Sequence, residues 1–264
     1  MVKINKSPGS LVIVGANGFV GRNLSRFASK FMPVHLMESS QFKISGQLTK
    51  SSVFVYLRAI SSPTFVQANP ARSNLINLVN TFENINEALS AGHRVIFASS
   101  DIVYGHSSIK VFSERDPVNP WGVYAKQKNE IEEKFMTNEN FIALRLSLIT
   151  GNGSKLEQIL KFESPPKITQ GVVRNPIHID FVLESICRIA KVDSFRSVFP
   201  RGCLNIGGKE SVEIFDLALT IAKIKRYNTP IKVQRNVQDL GARPAITRIT
   251  SEAAEDFVGL EFRL

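Results

Sequence analysis

Short apolar runs alternate with amphipathic stretches along the first half of the chain. The runs have the length of strands and are rich in β-branched and aromatic residues; they lie at residues 11–14, 34–37, 53–57, 95–98 and 141–144. Because they carry few polar residues, they predict strands that are buried on both faces of a parallel sheet.

Helices are predicted between these runs. From residue 74 to residue 91 the apolar residues recur at spacings of three and four, as on one face of a helix. They are Leu75, Leu78, Phe82, Ile85 and Leu89. Residues 22–31 and 124–136 are helical in composition as well. The alternation predicts an α/β fold with a Rossmann-like parallel sheet and helices on both faces.

The alternation weakens after about residue 151, where prolines interrupt the chain. Only two helices stand out there, at residues 181–190 and 212–224. We therefore expect residues 1–150 to form the sheet domain. Residues 151–264 are expected to form a small, irregular C-terminal substrate lobe, with strands and helices that can interleave with the first domain.

Composition excludes several classes of protein. The 264 residues are enough for a large core, and no apolar run approaches the roughly 18 residues of a membrane span. The two cysteines have no metal or redox spacing, which suits a reducing cytoplasm. The net charge of +10 is divided as +6 in residues 1–150 and +4 in the rest. This even spread predicts no nucleic-acid or membrane partner, although an RNA-binding function stays open.

The glycines at 15, 18 and 21 lie between the first predicted strand and the first predicted helix. A glycine turn at the start of a helix is typical of a site for a dinucleotide pyrophosphate, which the helix N-terminus attracts. Glu38 ends the second predicted strand, where a carboxylate accepts hydrogen bonds from an adenosine ribose. It would repel a 2′-phosphate, so NAD is favoured and NADP is not excluded.

Two alternatives stay open at this end of the sheet. Glu38 could be a solvated strand end with no ligand. Arg22 and Arg58 could instead hold a 2′-phosphate.

Candidate catalytic residues follow in two later segments. Ser100 comes after the fourth predicted strand, and Tyr124 and Lys128 are four residues apart on one face of a predicted helix. A lysine ammonium, together with an oxidised nicotinamide, would lower the pKa of the tyrosine so that it exchanges protons near neutral pH. Ser100 would hold the substrate oxygen.

Together these segments resemble an extended short-chain dehydrogenase/reductase of the NAD-dependent epimerase/dehydratase branch, over nearly the whole chain. The resemblance implies a Ser-Tyr-Lys triad of Ser100, Tyr124 and Lys128. Further motifs match at 144–145, 174–180 and 204–208. The implied cofactor-binding residues are Gly15, Asn17, Gly18, Phe19, Val20, Glu38, Leu57, Arg58, Ala59, Asn77, Tyr124 and Lys128. The implied substrate-binding residues are Ser100, Asp101, Arg174 and Arg243, the two arginines as a clamp on a pyrophosphate or as structural residues.

The resemblance implies hydride transfer at a carbon, with C4 expected, of a nucleotide-activated sugar. Leu148 replaces a substrate-binding asparagine of many epimerases, which tilts the prediction towards a 4-ketoreductase. Ile102 replaces the glutamate that dehydratases carry. A homodimer is also implied, and no metal site is predicted. The alternative is a catalytically idle dinucleotide-binding regulatory or RNA-binding relative.

Other departures from the family pattern concern the segment after Glu38 and the end of the chain. Only 14 residues separate Glu38 from Val53, too few for the family's third strand and its helix, and Gln47 stands where an adenine-contacting aspartate is usual. The sequence also stops at Leu264, before the usual last helix. His178 and Asp180 are expected to be structural.

Overall fold

The computed structural model describes residues 9–38, 42, 44, 48, 52–162, 165–227, 230–234 and 241–263. The segment between Glu38 and Val53 is therefore largely outside the described residues, and so are Gly46 and Gln47. Among the helices in the described ranges, none has both the length and the apolar character needed to cross a bilayer.

Six strands form one parallel sheet in the order β11-β6-β4-β3-β1-β2. Eight short strands pair in four separate two-stranded sheets. In chain order the strands are β1 (Leu11–Val14), β2 (Val34–Met37), β3 (Val53–Tyr56), β4 (Arg94–Ser100), β5 (Val111–Phe112), β6 (Phe141–Leu146), β7 (Ile149–Thr150), β8 (Lys167–Thr169), β9 (Val173–Arg174), β10 (Ile177–His178), β11 (Cys203–Ile206), β12 (Val212–Glu213), β13 (Lys232–Gln234) and β14 (Arg248–Ile249). The Rossmann-like sheet predicted from the sequence is confirmed.

Helices pack on both faces of this sheet. They are α1 (Phe19–Ala28), α2 (Pro63–Ala68), α3 (Pro70–Ser73), α4 (Asn80–Ser90), α5 (Val123–Phe135), α6 (Lys155–Phe162), α7 (Ile179–Ile189), α8 (Phe195–Val198), α9 (Ile214–Lys225) and α10 (Glu252–Val258). A π-helical segment at Asn74–Val79 joins α3 to α4, and a 3₁₀ turn at Asp101–Tyr104 follows β4. Helices α2, α3, α6, α8 and α10 were not predicted from the sequence.

The strand residues divide between two cores because successive side chains point to opposite faces of a sheet. On one face Leu11 and Ile13 pack with α1 and α7; on the other, Val12 and Val14 pack with α4 and α5. All four residues of β1 are fully buried, and each such side chain contributes about 1.5–3 kcal/mol. Burial on both faces therefore explains the continuous apolar runs.

The carboxyl-terminal part of the chain contributes to both the sheet and a separate lobe. β11 and helices α7, α8 and α10 complete the sheet and its core. A smaller core joins α6, β8 and α9; its buried members are Leu156, Leu160, Ile168, Leu217 and Ala218. The division at residue 150 into two domains stays a proposal.

The side chain of His178 caps α7 by accepting a hydrogen bond from the amide of Asp180.

Candidate active site at the carboxyl edge of the sheet

The glycine loop joins β1 to α1 and lies against the loop that follows β3. Gly15 has a φ of +96°, which favours glycine. A Cβ at Gly15 would lie 2.7 Å from the backbone nitrogen of Arg58, and a Cβ at Gly21 would collide with the carbonyl of Gly15. Glycine is therefore required at both positions for this tight turn.

The first turn of α1 fits an anion. Gly18 caps the helix without a side-chain hydrogen bond, and this turn holds no acidic residue. Helical hydrogen bonding begins with the amide of Arg22, which donates to the carbonyl of Gly18. The amides of Phe19, Val20 and Gly21 therefore have no acceptor within the helix. Amides at the positive end of a helix dipole suit a dinucleotide phosphate.

The loop after β3, residues 57–59, runs beside the glycine loop. The amide of Leu57 donates to the carbonyl of Val14 at 2.9 Å. The buried side chain of Asn77 holds Ile60, the residue that follows this stretch. Its Nδ2 donates to the carbonyl of Ile60 at 3.0 Å, and its Oδ1 accepts from the amide of Ile60 at 2.8 Å. Asn77 therefore holds the end of the loop that runs beside the glycine loop; its closeness to a cofactor stays a prediction.

Two exposed residues lie at the end of the sheet nearest this loop. Asn17 is in the glycine loop, and Glu38 follows β2, whose last residue Met37 pairs with Val14. The Glu38 carboxylate is thus at the carboxyl edge, where the ribose contact predicted from the sequence requires it. That contact stays a prediction, as does the alternative that Arg58 holds a phosphate.

Tyr124 and Lys128 lie together on the buried face of α5, and 8% and 3% of their surfaces are exposed. The Lys128 Nζ is 5.7 Å from the centroid of the Tyr124 ring and 4.4 Å from that of Phe97. It donates a hydrogen bond of 2.6 Å to the carbonyl of Ala98. The pair therefore faces the carboxyl-terminal half of β4.

Burial shifts the pKa values of this pair in the protein by itself. Burial lowers the pKa of Lys128 from about 10.5 to about 7, and Glu132 opposes the change. Burial raises the pKa of Tyr124 above its ordinary value, and the carboxylate of Asp101 raises it further. In the protein by itself, loss of solvation dominates at both groups. The lowering of the Tyr124 pKa by Lys128 together with an oxidised nicotinamide stays a prediction.

Ser100 is the last residue of β4, and its hydroxyl donates to Oδ1 of Asp101 at 3.2 Å. Oδ2 of Asp101 accepts from the hydroxyl of Ser147 at 2.8 Å and lies 3.8 Å from Nε of Arg174. Burial raises the pKa of Asp101, while Arg174 and the two serines oppose the rise. Both carboxylate oxygens are therefore engaged inside the protein, whereas Ser100 is partly exposed.

Arg174 uses its guanidinium mainly for the protein's own backbone. Nη1 donates to the carbonyls of Val173 and Ala245 at 2.7 and 2.9 Å, and Nη2 donates to that of Pro244 at 2.6 Å. The side chain is almost fully buried beside Asp101. This geometry supports the structural alternative for Arg174, and its contact with a pyrophosphate stays a prediction.

Arg243 lies near Arg174 in the segment that borders α5. Its positive charge helps burial to lower the pKa of Arg174 to about 10, and its Nη2 lies 3.4 Å from Oγ1 of Thr169. The indole nitrogen of Trp121 donates to the carbonyl of Gly241 at 3.0 Å. This bond holds the segment that carries Arg243 beside the start of the tyrosine helix.

The sequence analysis assigned no role to a buried ion pair one turn beyond Lys128. Glu132 is fully buried and accepts two bonds from Arg145, at 3.0 Å from Nε and 2.6 Å from Nη2, and another from Ser99. The Arg145 Nη1 donates to the hydroxyl of Tyr104 at 2.8 Å. Glu132 holds the pKa of Arg145 above its ordinary value despite burial.

Helical spacing was the signal that could have found a further buried polar residue of α5, Gln127. Positions 124, 127, 128, 131 and 135 recur at the spacing of one helix face, and they are occupied by the buried Tyr124, Gln127, Lys128, Ile131 and Phe135. A polar residue on an otherwise buried face must be hydrogen-bonded. Gln127 on this face is therefore a candidate for a specific contact.

The fold is shared with solved structures of other proteins. The structure titled MoeE5 in complex with UDP-glucose and NAD superimposes with a TM-score of 0.79 at 18% identity, covering 97% of this chain and 94% of that one. The dTDP-4-dehydrorhamnose reductase of Bacillus anthracis, in complex with NADP, gives a TM-score of 0.78 at 14% identity, covering 97% and 95% of the two chains. At these identities the likeness establishes the fold.

Sequence comparison extends the likeness to another kind of protein. The methionine adenosyltransferase 2 subunit beta of Xenopus tropicalis is 27% identical over 261 residues, which cover 88% of this chain and 77% of that protein. A family model described as RmlD substrate binding domain matches residues 9–263. The chain therefore belongs to the RmlD substrate binding domain family, within the extended short-chain dehydrogenases/reductases.

Proposed function

We propose that this protein is an NAD(P)-dependent oxidoreductase that transfers hydride at a sugar carbon of a nucleotide-activated sugar, with reduction of a 4-keto group as the favoured reaction. The observation that carries the proposal is the position of Tyr124 and Lys128 on the buried face of α5, against the end of β4 that carries Ser100. The glycine loop lies at the same edge of the sheet. The family and the named neighbours support this class of reaction.

A protonated Tyr124 suits the role of proton donor in the reduction. When bound, the dinucleotide supplies or accepts the hydride. Because burial and Asp101 raise the pKa of Tyr124, its phenol holds its proton at neutral pH. It can then give that proton to the carbonyl oxygen of a keto sugar, while the carbon of that carbonyl gains the hydride and an alcohol forms.

Ser100 and Lys128 have supporting roles in this proposal. The partly exposed Ser100 can turn its hydroxyl from Asp101 to the substrate oxygen and stabilise the charge that develops there. Lys128 donates to the carbonyl of Ala98, and its remaining hydrogens can bind a ribose hydroxyl and replace the proton that Tyr124 gives up. Its pKa of about 7 makes proton exchange with solvent easy near neutral pH.

Further parts of the proposal concern recognition. Glu38, exposed at the end of β2, would accept hydrogen bonds from the adenosine ribose and favour NAD. Arg243 would contact the substrate pyrophosphate, since Arg174 is engaged by backbone carbonyls. The family resemblance also implies a homodimer. Light scattering, which measures the molecular mass in solution, tests this proposal.

A second candidate function is that of a dinucleotide-binding subunit of another enzyme. The relative from Xenopus tropicalis, named as a subunit of methionine adenosyltransferase 2, favours this alternative. So does the engagement of Arg174, which leaves this guanidinium few donors for a substrate phosphate. Such a protein would bind dinucleotide and would have no turnover of its own.

To test the proposal, the purified protein is incubated with a panel of UDP- and dTDP-linked sugars and 4-keto sugars. Each incubation is made with NADH, with NADPH and without either cofactor. Consumption of NADH equal to the keto sugar reduced supports the reductase. Isomerisation without added cofactor supports an epimerase. Binding of NADH, measured by its fluorescence, with no turnover of any sugar favours the subunit.

A further inference from the structure

Gln127 lies between the tyrosine and the lysine on the buried face of α5, and it is 2% exposed. Its Nε2 donates to Oγ of Ser73 at 3.0 Å and to Oδ1 of Asn74 at 2.7 Å, and its Oε1 accepts from Nδ2 of Asn77 at 2.9 Å. Both amide hydrogens and the amide oxygen are therefore used. These partners all lie where α3 passes into the π-helical segment.

Asn77 carries the contact onward to the loop after β3. Its second amide hydrogen is donated to the carbonyl of Ile60, and its oxygen accepts from the amide of the same residue. The side chain of Asn77 thus closes a ring with the backbone of Ile60, as a neighbouring strand would. One end of the chain of bonds is the catalytic helix, and the other is the loop beside the glycine turn.

The π-helical segment explains why Asn77 can make both contacts. A π turn inserts one residue into a helix and rotates the side chains that precede it relative to those that follow. Such turns often occur at functional sites. The hydrogen bonds of Gln127 to Ser73 and Asn74 hold the first turn of this segment, so that Asn77 is turned inward.

A second bond ties the same two regions together. The amide of Val123, the first residue of α5, donates to Oε1 of Gln67 in α2 at 3.2 Å. Since α2 directly follows the loop that contains Ile60, this bond ties the segment after the loop to the start of α5. Of the two fastenings, that through Gln127 is the buried one.

We propose that Gln127 is a positioning residue that acts through Asn77, setting the distance between the dinucleotide-facing loop, residues 57–60, and the Tyr124–Lys128 pair. The inference rests on the dinucleotide-binding part of the proposed function. It does not depend on the identity of the sugar or on whether the protein turns one over. The predicted effects are a looser loop and weaker binding of NADH.

The test compares Gln127→Met, which keeps the length of the side chain and removes all three hydrogen bonds, with Ile131→Ala. Ile131 is fully buried one turn further along α5, and its side chain has no polar atom that could join these hydrogen bonds. The control therefore weakens the same helix without cutting the network. Asn77→Asp and the double variant complete a cycle, because changes on one chain of bonds are not additive.

Two measurements are made on each full-length variant: hydrogen–deuterium exchange of residues 57–62 relative to those of β3, and the Kd for NADH from its fluorescence. In Gln127→Met we expect relative exchange of the Ile60 amide to rise about tenfold and the Kd to rise about tenfold. Ile131→Ala should change neither the relative exchange of the Ile60 amide nor the Kd for NADH beyond what the general loss of stability causes. Gln127→Met should add little to Asn77→Asp.

Exchange that is unchanged in Gln127→Met, or raised equally in Ile131→Ala, overturns the inference whatever the protein does with NADH. Looser exchange with an unchanged Kd also overturns it, because the loop would then not position the dinucleotide. If the wild-type protein binds neither NADH nor NADPH, the proposed function fails in that titration, and the positioning role towards a dinucleotide fails with it. If NADH binds but no sugar reacts, the inference stands and only the reductase proposal falls.

Discussion

Lys128 donates a 2.6 Å hydrogen bond from Nζ to the backbone carbonyl of Ala98, at the level where β4 approaches the carboxyl edge of the sheet. This bond is made by a lysine that is 3% exposed. Its burial lowers its pKa from about 10.5 to about 7. The bond fixes the ammonium group beside the carboxyl edge of the sheet, and the burial makes its charge sensitive to pH in the neutral range.

Lys128→Met should flatten the pH dependence of stability between pH 7 and 10.5. Below about pH 7 both states of the wild-type protein hold the lysine proton, so Lys128 gives no slope. Between these values the unfolded chain holds a proton that the folded chain lacks. Unfolding then takes up a proton, so raising the pH opposes it and the wild-type protein becomes more stable.

The measurement is urea denaturation of both proteins at pH 6, 8 and 10. The free energy of unfolding of the wild type should rise relative to that of Lys128→Met as the pH increases. Parallel curves would show that the folded and unfolded proteins have the same lysine pKa.

Glu132→Gln should destabilise the protein strongly, because it leaves the buried guanidinium of Arg145 without its counter-charge. Breaking one side of a buried pair costs about 3–5 kcal/mol. The matched control is Glu184→Gln, which removes the partner of Arg188 in a pair on the surface of α7. Exposed pairs contribute about 0–1 kcal/mol, and equal losses of unfolding free energy in the two variants would contradict the buried-pair interpretation.

Gly15→Ala should weaken NADH binding more than its backbone strain alone explains. Its control is Gly92→Ala, since Gly92 has a similar φ of +79° but no atom within 4 Å of an added Cβ. Both variants carry the left-handed strain of about 1–2 kcal/mol. Only Gly15→Ala pushes against Arg58, so only its Kd for NADH, measured by fluorescence titration, should rise. Similar Kd values in both variants would separate this loop from the dinucleotide.

The two arginines should differ in what their loss changes. Arg174→Met removes three hydrogen bonds to backbone carbonyls and the positive charge beside the buried Asp101, so we expect a large fall in the Tm. Arg243→Met should lower the Tm less and raise the KM for the nucleotide sugar about tenfold or more, the worth of one charge-assisted contact. A raised KM for the nucleotide sugar with an unchanged Tm in Arg174→Met would instead indicate that Arg174 binds the substrate pyrophosphate.

Local patterns in the sequence predicted most of the main sheet but missed β11. Five strands are apolar runs, and their pattern requires nothing beyond burial. The apolar pattern of β11, Cys203–Ile206, is interrupted by Asn205. The buried side chain of Asn205 accepts a hydrogen bond from the hydroxyl of Tyr104 and donates to the carbonyls of Phe112 and Thr250. Those partners are distant in sequence, so the strand was recognisable only from the folded protein.

The site shows the same division between local and tertiary information. Spacing alone placed Tyr124 and Lys128 together, because four residues make one helical turn. Spacing carries no information about solvation, and so it did not indicate that burial raises the pKa of Tyr124 in the protein by itself. The sequence predicted one regular helix from residue 74 to residue 91, but its first turns are π-helical. In this segment Asn77 contacts Gln127 and Ile60.

The most direct test of the proposed function is the rate at which Tyr124→Phe reduces a nucleotide-linked 4-keto sugar with NADH. The control is Tyr227→Phe, since the hydroxyl of Tyr227 lies in the separate lobe, 3.4 Å from Glu157. Loss of the proton donor should lower kcat by about 10²–10⁴ with little change in the Kd for NADH, and the control should retain the wild-type rate. A Tyr124→Phe protein as active as the control, or a wild-type protein that binds NADH and reduces no keto sugar, would contradict the account.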